Sequence, residues 1–112
     1  MRRPAALRRR EAPIEDRCAT YASICACVVR KLDGVRGRRG KVDRVVVTPN
    51  GYVWWVEFKR DGDVEPSRLQ LFERAELVRC GQLHDVVSSF EEFRFKLDWI
   101  LRLRPRRAPR CA

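Results

Sequence analysis

The chain has 112 residues and a formal net charge of +10, with 45% hydrophobic and 36% charged residues. This length allows one domain with a single hydrophobic core and excludes two such domains. No signal-peptide pattern is present, and the longest apolar runs are far shorter than the ~20 residues of a membrane-spanning helix, so we expect no membrane partner.

The excess positive charge lies at the two ends of the chain. Residues 1–10 and residues 102–112 each carry five arginines and no acidic residue. Proline and alanine accompany these arginines, a composition typical of segments with little order. We therefore expect a basic N-terminal tail at 1–10, a folded domain at 11–103 and a basic C-terminal tail at 104–112. Such tails suit contacts with a phosphate backbone, and they suit solubility almost as well.

The cysteines indicate free thiols. Five of them, an odd number, stand at positions 18, 25, 27, 80 and 111. The spacing of Cys25 and Cys27 does not match a structural zinc site, and His84 is the only histidine in the chain. We expect small core residues in a reducing environment, which favours the cytoplasm.

The first half of the domain predicts a helix and a strand. Residues 11–26 place Ile14, Cys18 and Ala22 at helical spacing. A short strand over 28–32 follows. Residues 33–41 then form a loop rich in glycine and basic residues, where glycine lets the backbone bend and the cations can meet phosphates.

Two further strands, over 44–48 and 52–58, flank a turn. The tetrapeptide Thr48-Pro49-Asn50-Gly51 has proline second and glycine last, which predicts a hairpin. In a hairpin the start of the first strand lies opposite the end of the second, so Asp43 and Glu57 converge. A fold tolerates two neighbouring carboxylates more readily when a cation lies between them.

Glu57 and Lys59 end the second of these strands. Since side chains two residues apart in a strand point to the same side, the carboxylate and the ammonium share one face. A carboxylate can hold Mg²⁺, which acidifies a bound water, and a lysine beside it can orient that water. Taken alone, a glutamate and a lysine separated by one residue more often mark the solvated end of a strand than a catalytic site.

The second half predicts a helix, a strand and a third helix. Residues 68–80 form the helix, with Ser67 as N-cap, Gln70 in a capping box, and Gly81 as its C-terminal stop. Residues 83–87 form a strand in which His84 is assigned a structural role. The third helix starts at Phe90, capped by Ser88 or Ser89 together with Glu91 or Glu92.

The third helix carries more apolar residues than one stripe needs. Phe93, Leu97 and Ile100 follow helical spacing, whereas Phe95, Trp99 and Leu103 lie off that stripe. These three residues either belong to a second face of the core or form a dimer contact.

Taken in order, these segments resemble the VRR-NUC domain, a branch of the PD-(D/E)XK nuclease superfamily, and especially its small stand-alone members from phages and bacteria. The resemblance covers residues 11 to about 101. Its segments are Ile14-Glu15, Lys31-Leu32, Gly40-Lys41-Val42-Asp43-Arg44, Val56-Glu57-Phe58-Lys59 and Ser67-Arg68-Leu69-Gln70. One departure is Val42, which stands where the family has proline. The resemblance implies an α/β fold with a PD-(D/E)XK restriction-endonuclease-like core in the order α-β-β-β-α-β plus a C-terminal helix, its mixed central sheet flanked by helices.

The resemblance also implies roles for individual residues. Asp43, Glu57 and the main-chain carbonyl of Phe58 would bind Mg²⁺ or Mn²⁺, and Glu15 would reach the ion through a water. Lys59 would position or activate the attacking water. The implied catalytic set is Glu15, Asp43, Glu57, Lys59 and Gln70. Since neither Asp43 nor Glu57 belongs to the apolar core, we expect the loss of either to leave folding nearly intact.

The expected function is that of a metal-dependent, structure-selective DNA endonuclease. The family resemblance implies a homodimer that cuts branched or nicked duplex, either as a Holliday-junction resolvase or at flaps and nicks, in the cytoplasm or, for a phage protein, the host cytoplasm. An inactive DNA-binding or assembly module is the alternative, and an RNA nuclease is a third. The residues expected to hold the DNA backbone are Arg36, Arg38, Arg39, Lys41, Arg44 and Arg60.

Overall fold

The computed structural model describes residues 14–32, 44–59 and 68–106. Its elements are α1 (Ile14–Ile24), β1 (Val28–Lys31), β2 (Arg44–Val47), β3 (Val53–Phe58), α2 (Arg68–Arg79), β4 (Leu83–Val87) and α3 (Phe90–Leu101). Each lies within its predicted segment, and the predicted order is confirmed. The predicted first turn of α1 at 11–13, the loop at 33–41, the Ser67 cap and the N-terminal tail lie outside the described residues.

The four strands form one mixed sheet in the order β1-β2-β3-β4. β1 and β3 are antiparallel to β2, whereas β4 is parallel to β3. The hairpin register runs from Val47 opposite Val53 to Arg44 opposite Val56. The predicted hairpin is therefore confirmed, and its open end carries the start of β2 and the end of β3.

The two faces of β3 have different neighbours. Trp54, Val56 and Phe58 are buried in the core between the sheet and helices α1 and α3, where the Trp54 and Phe93 rings lie 4.9 Å apart. Alternation directs Trp55 and Glu57 to the opposite face, where α2 packs. The fully buried core side chains include Cys18, Val46, Trp54, Val56, Phe93, Leu97 and Ile100.

Turn and cap residues explain where the elements stop. Gly81 ends α2 with φ +77°, a conformation that glycine adopts without strain. At the end of α1 the same left-handed conformation falls on Ala26, with φ +65°. Ser89 is the N-cap of α3 and accepts a hydrogen bond from the Glu92 backbone N–H. This contact identifies Ser89, rather than Ser88, as the N-cap, and Glu92, rather than Glu91, as its partner.

The hairpin turn also holds the residues that follow α3. The Gly51 N–H donates to Thr48 O at 3.0 Å, with φ +92° at Gly51. The Asn50 amide donates to Ile100 O at 2.8 Å, and the Arg106 N–H donates to Asn50 O at 2.8 Å. We call Arg104–Arg106 the C-terminal strap. The charge pattern assigns these three residues to the tail, yet they lie against the folded domain.

The third helix exposes its extra apolar residues. Phe95 is 74% exposed and Trp99 is 41% exposed. Core packing within the chain is therefore the wrong interpretation for this pair. Within the described residues, no helix is both long and apolar enough to span a bilayer. The four described cysteines are free, as predicted.

Candidate active site

The candidate site lies where β3 ends. Glu57 is the next-to-last residue of β3, and the Lys59 N–H donates to Val87 O of β4 at 2.9 Å. This bond keeps the backbone extended past Phe58, so alternation places the exposed Lys59 side chain on the same face as Glu57. The structure therefore places the acid and the lysine as predicted, at the α2 side of the sheet.

Glu57 is buried and paired. Its side chain is 9% exposed, and its Oε2 lies 2.7 Å from Arg74 Nη2 and 3.2 Å from Arg74 Nε. The other oxygen, Oε1, lies 3.2 Å from His84 Nε2. α2 supplies Arg74, and β4 supplies His84, whose side chain is 6% exposed. Three elements thus meet at one carboxylate.

The electrostatic balance keeps Glu57 ionised. Burial raises the pKa of this carboxyl, because an apolar environment disfavours charge. The hydrogen bonds from His84 and Arg74, together with the electrostatic effect of these two side chains, outweigh burial, so the net pKa lies below its ordinary value of 4.5. The site therefore presents a carboxylate at neutral pH.

Arg74 and His84 are the residues that sequence analysis missed. His84 is paired with Trp55 in the parallel ladder, which puts it on the Glu57 face. Its ring contacts Glu57, and the structural role expected for it stays a prediction. Arg74 stands four residues after Gln70, one helical turn along the same face of α2. That spacing was visible in the sequence, but only the structure shows that α2 covers β3.

Two other predicted catalytic residues lie on the helices. Glu15 is buried in the first turn of α1. Arg44 Nη2 lies 3.4 Å from Asp16 Oδ1, which places this turn at the end of the sheet where β2 starts. Gln70 lies in the first turn of α2. The structure thus brings Arg74 and His84 to Glu57, and it places Gln70 one turn before Arg74 on α2 and Glu15 on α1, in the helix layer of the other face.

Part of the predicted set cannot be placed. Asp43 lies outside the described residues; in sequence it directly precedes Arg44, whose ladder partner Val56 precedes Glu57. Arg44 itself is on the core face and contacts α1, so the structure does not bring it together with Glu57. The remaining predicted DNA-binding residues, Arg36, Arg38, Arg39, Lys41 and Arg60, also lie outside the described residues.

The oxygen donors at this position suit a hard cation. Carboxylate and carbonyl oxygens are the ligands of Mg²⁺ and Mn²⁺, and Glu57 together with the Phe58 main chain supplies both kinds. Among the residues that the structure describes, no group of three or more histidine, cysteine, aspartate or glutamate side chains could hold a metal ion. Glu57 and the Phe58 carbonyl match the ligand types of these ions, and Asp43, which the sequence analysis expects as the second carboxylate ligand, lies outside the described residues.

The described residues form a mixed sheet flanked by helices, with an acid and a lysine where a central strand ends, and the comparisons assign this α/β fold to a class of nucleases. A solved structure described as "VRR_NUC domain" is 30% identical to this chain, with a TM-score of 0.65, and the match covers 79% of this chain and 94% of that one. "Putative nuclease p44" of Acyrthosiphon pisum secondary endosymbiont phage 1 is 42% identical over 67 residues, which are 54% of this chain and 71% of that protein. No family model matches the sequence.

The chain belongs to the VRR-NUC family of nucleases. The resemblance drawn from the sequence motifs is thereby confirmed, and so is the fold class.

Proposed function

We propose that the protein is a metal-dependent, structure-selective DNA endonuclease that hydrolyses phosphodiester bonds. The observation that carries this proposal is the buried, ionised Glu57 at the end of β3 with Lys59 on the same face. Membership of a nuclease family supports a phosphodiester substrate. One relative is named a putative nuclease and comes from a phage, and the role we propose is in DNA replication, recombination or repair.

The metal would be held by Asp43, Glu57 and the Phe58 carbonyl, with Glu15 acting through a water. Mg²⁺ or Mn²⁺ bound there would acidify a water and offset charge on the scissile phosphate. Lys59, which is exposed beside Glu57, would orient the attacking water and stabilise negative charge as it develops.

Other groups would hold the substrate. Gln70 would contact the reacting groups from α2, and four basic residues of the 33–41 loop together with Arg60 would hold the phosphate backbone. One small domain offers one site, so paired cuts in branched DNA require two copies, and we propose a homodimer. The cell compartment would be the cytoplasm, that of the host for a phage protein.

The experiment is a cleavage assay on labelled four-way junction, flap, nicked duplex and plain duplex, each with Mg²⁺, Mn²⁺ or EDTA. We expect metal-dependent cutting that is lost in Lys59→Ala and in Asp43→Ala. Lys96→Ala is the matched control, because Lys96 lies on α3, where it contacts Asp85 and Trp99 on the other face of the sheet. Cutting by Asp43→Ala at the wild-type rate would refute the assignment.

The alternative is an inactive DNA-binding module, and one observation favours it. Arg74 offsets the charge of Glu57 within the chain and His84 contacts its other oxygen, so the fold does not require a metal to tolerate this carboxylate. Duplex affinity with and without Ca²⁺ separates the two functions. The enzyme should bind tighter with Ca²⁺, whereas a module should show only salt screening.

A further inference from the structure

The Glu57 carboxylate is shared between a guanidinium and an imidazole. Arg74 Nε lies 3.4 Å from Oε1 and 3.2 Å from Oε2, and Arg74 Nη2 lies 2.7 Å from Oε2. The guanidinium thus spans both oxygens, and His84 approaches Oε1 alone. An ionised carboxylate offers about four lone-pair positions, so a metal ion at Glu57 would have to share or replace these contacts.

The charge of Arg74 is permanent. Arginine does not lose its proton in proteins, so this cation stays beside Glu57 at any working pH. A second positive charge within a few ångströms disfavours a divalent ion, and partial burial of Glu57 weakens the screening by water. Arg74 and the metal therefore compete for one carboxylate.

The Arg74 side chain can move away from Glu57 toward solvent. Its side chain is 24% exposed and extends from the surface of α2, whereas the His84 side chain is 6% exposed and fixed on β4. A guanidinium fork also matches two phosphate oxygens as well as it matches a carboxylate. A backbone phosphate brought to this face would offer Arg74 an equivalent partner.

We infer that Arg74 is the resident counter-ion of Glu57, which a divalent metal displaces, and that the displaced guanidinium then binds a backbone phosphate of the nucleic acid. This inference rests on the proposed metal site. Arg74 thereby couples loading of the metal to binding of the substrate, and His84 keeps Glu57 in place during the exchange.

The first test measures metal binding without DNA. Full-length wild type, Arg74→Met, Arg74→Lys and Arg79→Met are titrated with Mn²⁺ at pH 8, and free Mn²⁺ is followed by its electron paramagnetic resonance signal. Arg74→Met should bind Mn²⁺ about tenfold tighter, because the competing charge is gone. Arg74→Lys keeps a charge, and Arg79 is an exposed arginine of the same helix paired with Glu76, so both variants should stay near wild type. Far-UV circular dichroism confirms that each variant is folded. Unchanged or weaker Mn²⁺ binding by Arg74→Met would overturn the inference.

The second test measures DNA binding by the fluorescence anisotropy of a labelled duplex. In EDTA, Arg74 stays with Glu57, so wild type and Arg74→Met should differ less than twofold. In Ca²⁺, the freed arginine should make wild type at least threefold tighter than Arg74→Met. Equal affinities in both conditions would refute the phosphate contact.

Parallel cleavage by the wild type separates this inference from the proposed function. Cutting by wild type together with unchanged Mn²⁺ affinity in Arg74→Met would refute only the role of Arg74. Absence of both Mn²⁺ binding and cutting would refute the metal-dependent nuclease as well.

Discussion

Replacing Glu57 by glutamine should destabilise the fold, contrary to the expectation from sequence alone. Glutamine keeps the shape but removes the charge that Arg74 and His84 contact at 2.7 and 3.2 Å. Hydrogen bonds to a charged group contribute about 1.5–3 kcal/mol, against about 0.5–1.5 kcal/mol for neutral ones. Two partners make a difference of about 2–3 kcal/mol, and the lower end, about 2 kcal/mol, applies because the partly exposed Arg74 side chain can regain water.

Urea unfolding at pH 7 measures this difference, and a double-mutant cycle with Arg74→Met isolates the pair. Each single change should lower the free energy of unfolding by about 2 kcal/mol, with a coupling energy of at least ~1 kcal/mol. Glu76 and Arg79 provide the control pair, because they lie 2.6 Å apart on α2 with side chains 42% and 67% exposed. Exposed pairs couple by less than about 1 kcal/mol. Equal coupling energies in the Glu57–Arg74 cycle and the Glu76–Arg79 cycle would refute the argument that burial strengthens the first pair.

Lowering the pH should remove the stabilisation that the ionised Glu57 side chain gives to the fold. The pKa of Glu57 is lower in the folded chain than its ordinary value of 4.5, so the unfolded chain binds the proton more readily. The stabilisation is therefore fully present above 4.5 and is lost as pH falls through the folded-state pKa. The difference in the free energy of unfolding between wild type and Glu57→Gln should become smaller as the pH is lowered below 4.5. A difference in the free energy of unfolding that stays constant with pH would contradict the predicted direction of the pH dependence.

Three further predictions concern the rest of the fold. Ala26→Gly should raise the free energy of unfolding by about 0.5–1 kcal/mol, because φ is +65° there, and urea unfolding that showed a loss would contradict it. Gly51→Ala should lower it by about 2 kcal/mol, since φ is +92° and a Cβ would lie 2.9 Å from Arg106 O; the loss should be smaller in a chain truncated after Leu103. Burial raises the pKa of the Cys18 thiol to about 12 and that of Cys27 to about 11. Iodoacetamide at pH 8 should therefore modify exposed Cys80 and leave both buried thiols intact, as mass spectrometry of digested protein would show.

Local signals made most of the fold predictable. The strands β2 and β3 are rich in β-branched and aromatic residues, and Thr48–Gly51 has the composition of a turn, so the hairpin follows from neighbouring residues. The shared face of Glu57 and Lys59 follows from alternation alone. These features need no knowledge of distant segments.

The partners of Glu57 depend on contacts between distant segments. His84 reaches Glu57 only because β4 pairs in parallel with β3, a pairing between residues about thirty positions apart. Arg74 reaches it only because α2 crosses that face of the sheet. Neither arrangement produces a pattern among neighbouring residues of the sequence. The burial of Glu57 and the loss of stability expected when Glu57 is replaced were therefore missed in the sequence analysis. The exposure of Phe95 and Trp99 likewise depends on which face of α3 meets the sheet.

The C-terminal strap determines where an attached group would leave the domain. Arg106 lies against Asn50 and over the Tyr52 ring, beside the hairpin turn, whereas Glu57 stands at the other end of β3. Five strand rises separate Tyr52 from Glu57, a distance of roughly 17 Å. A fluorophore or affinity tag joined after residue 106 would therefore start at the far end of the sheet. Protein immobilised on a sensor chip through a group attached there would be held from the end of the sheet opposite Glu57.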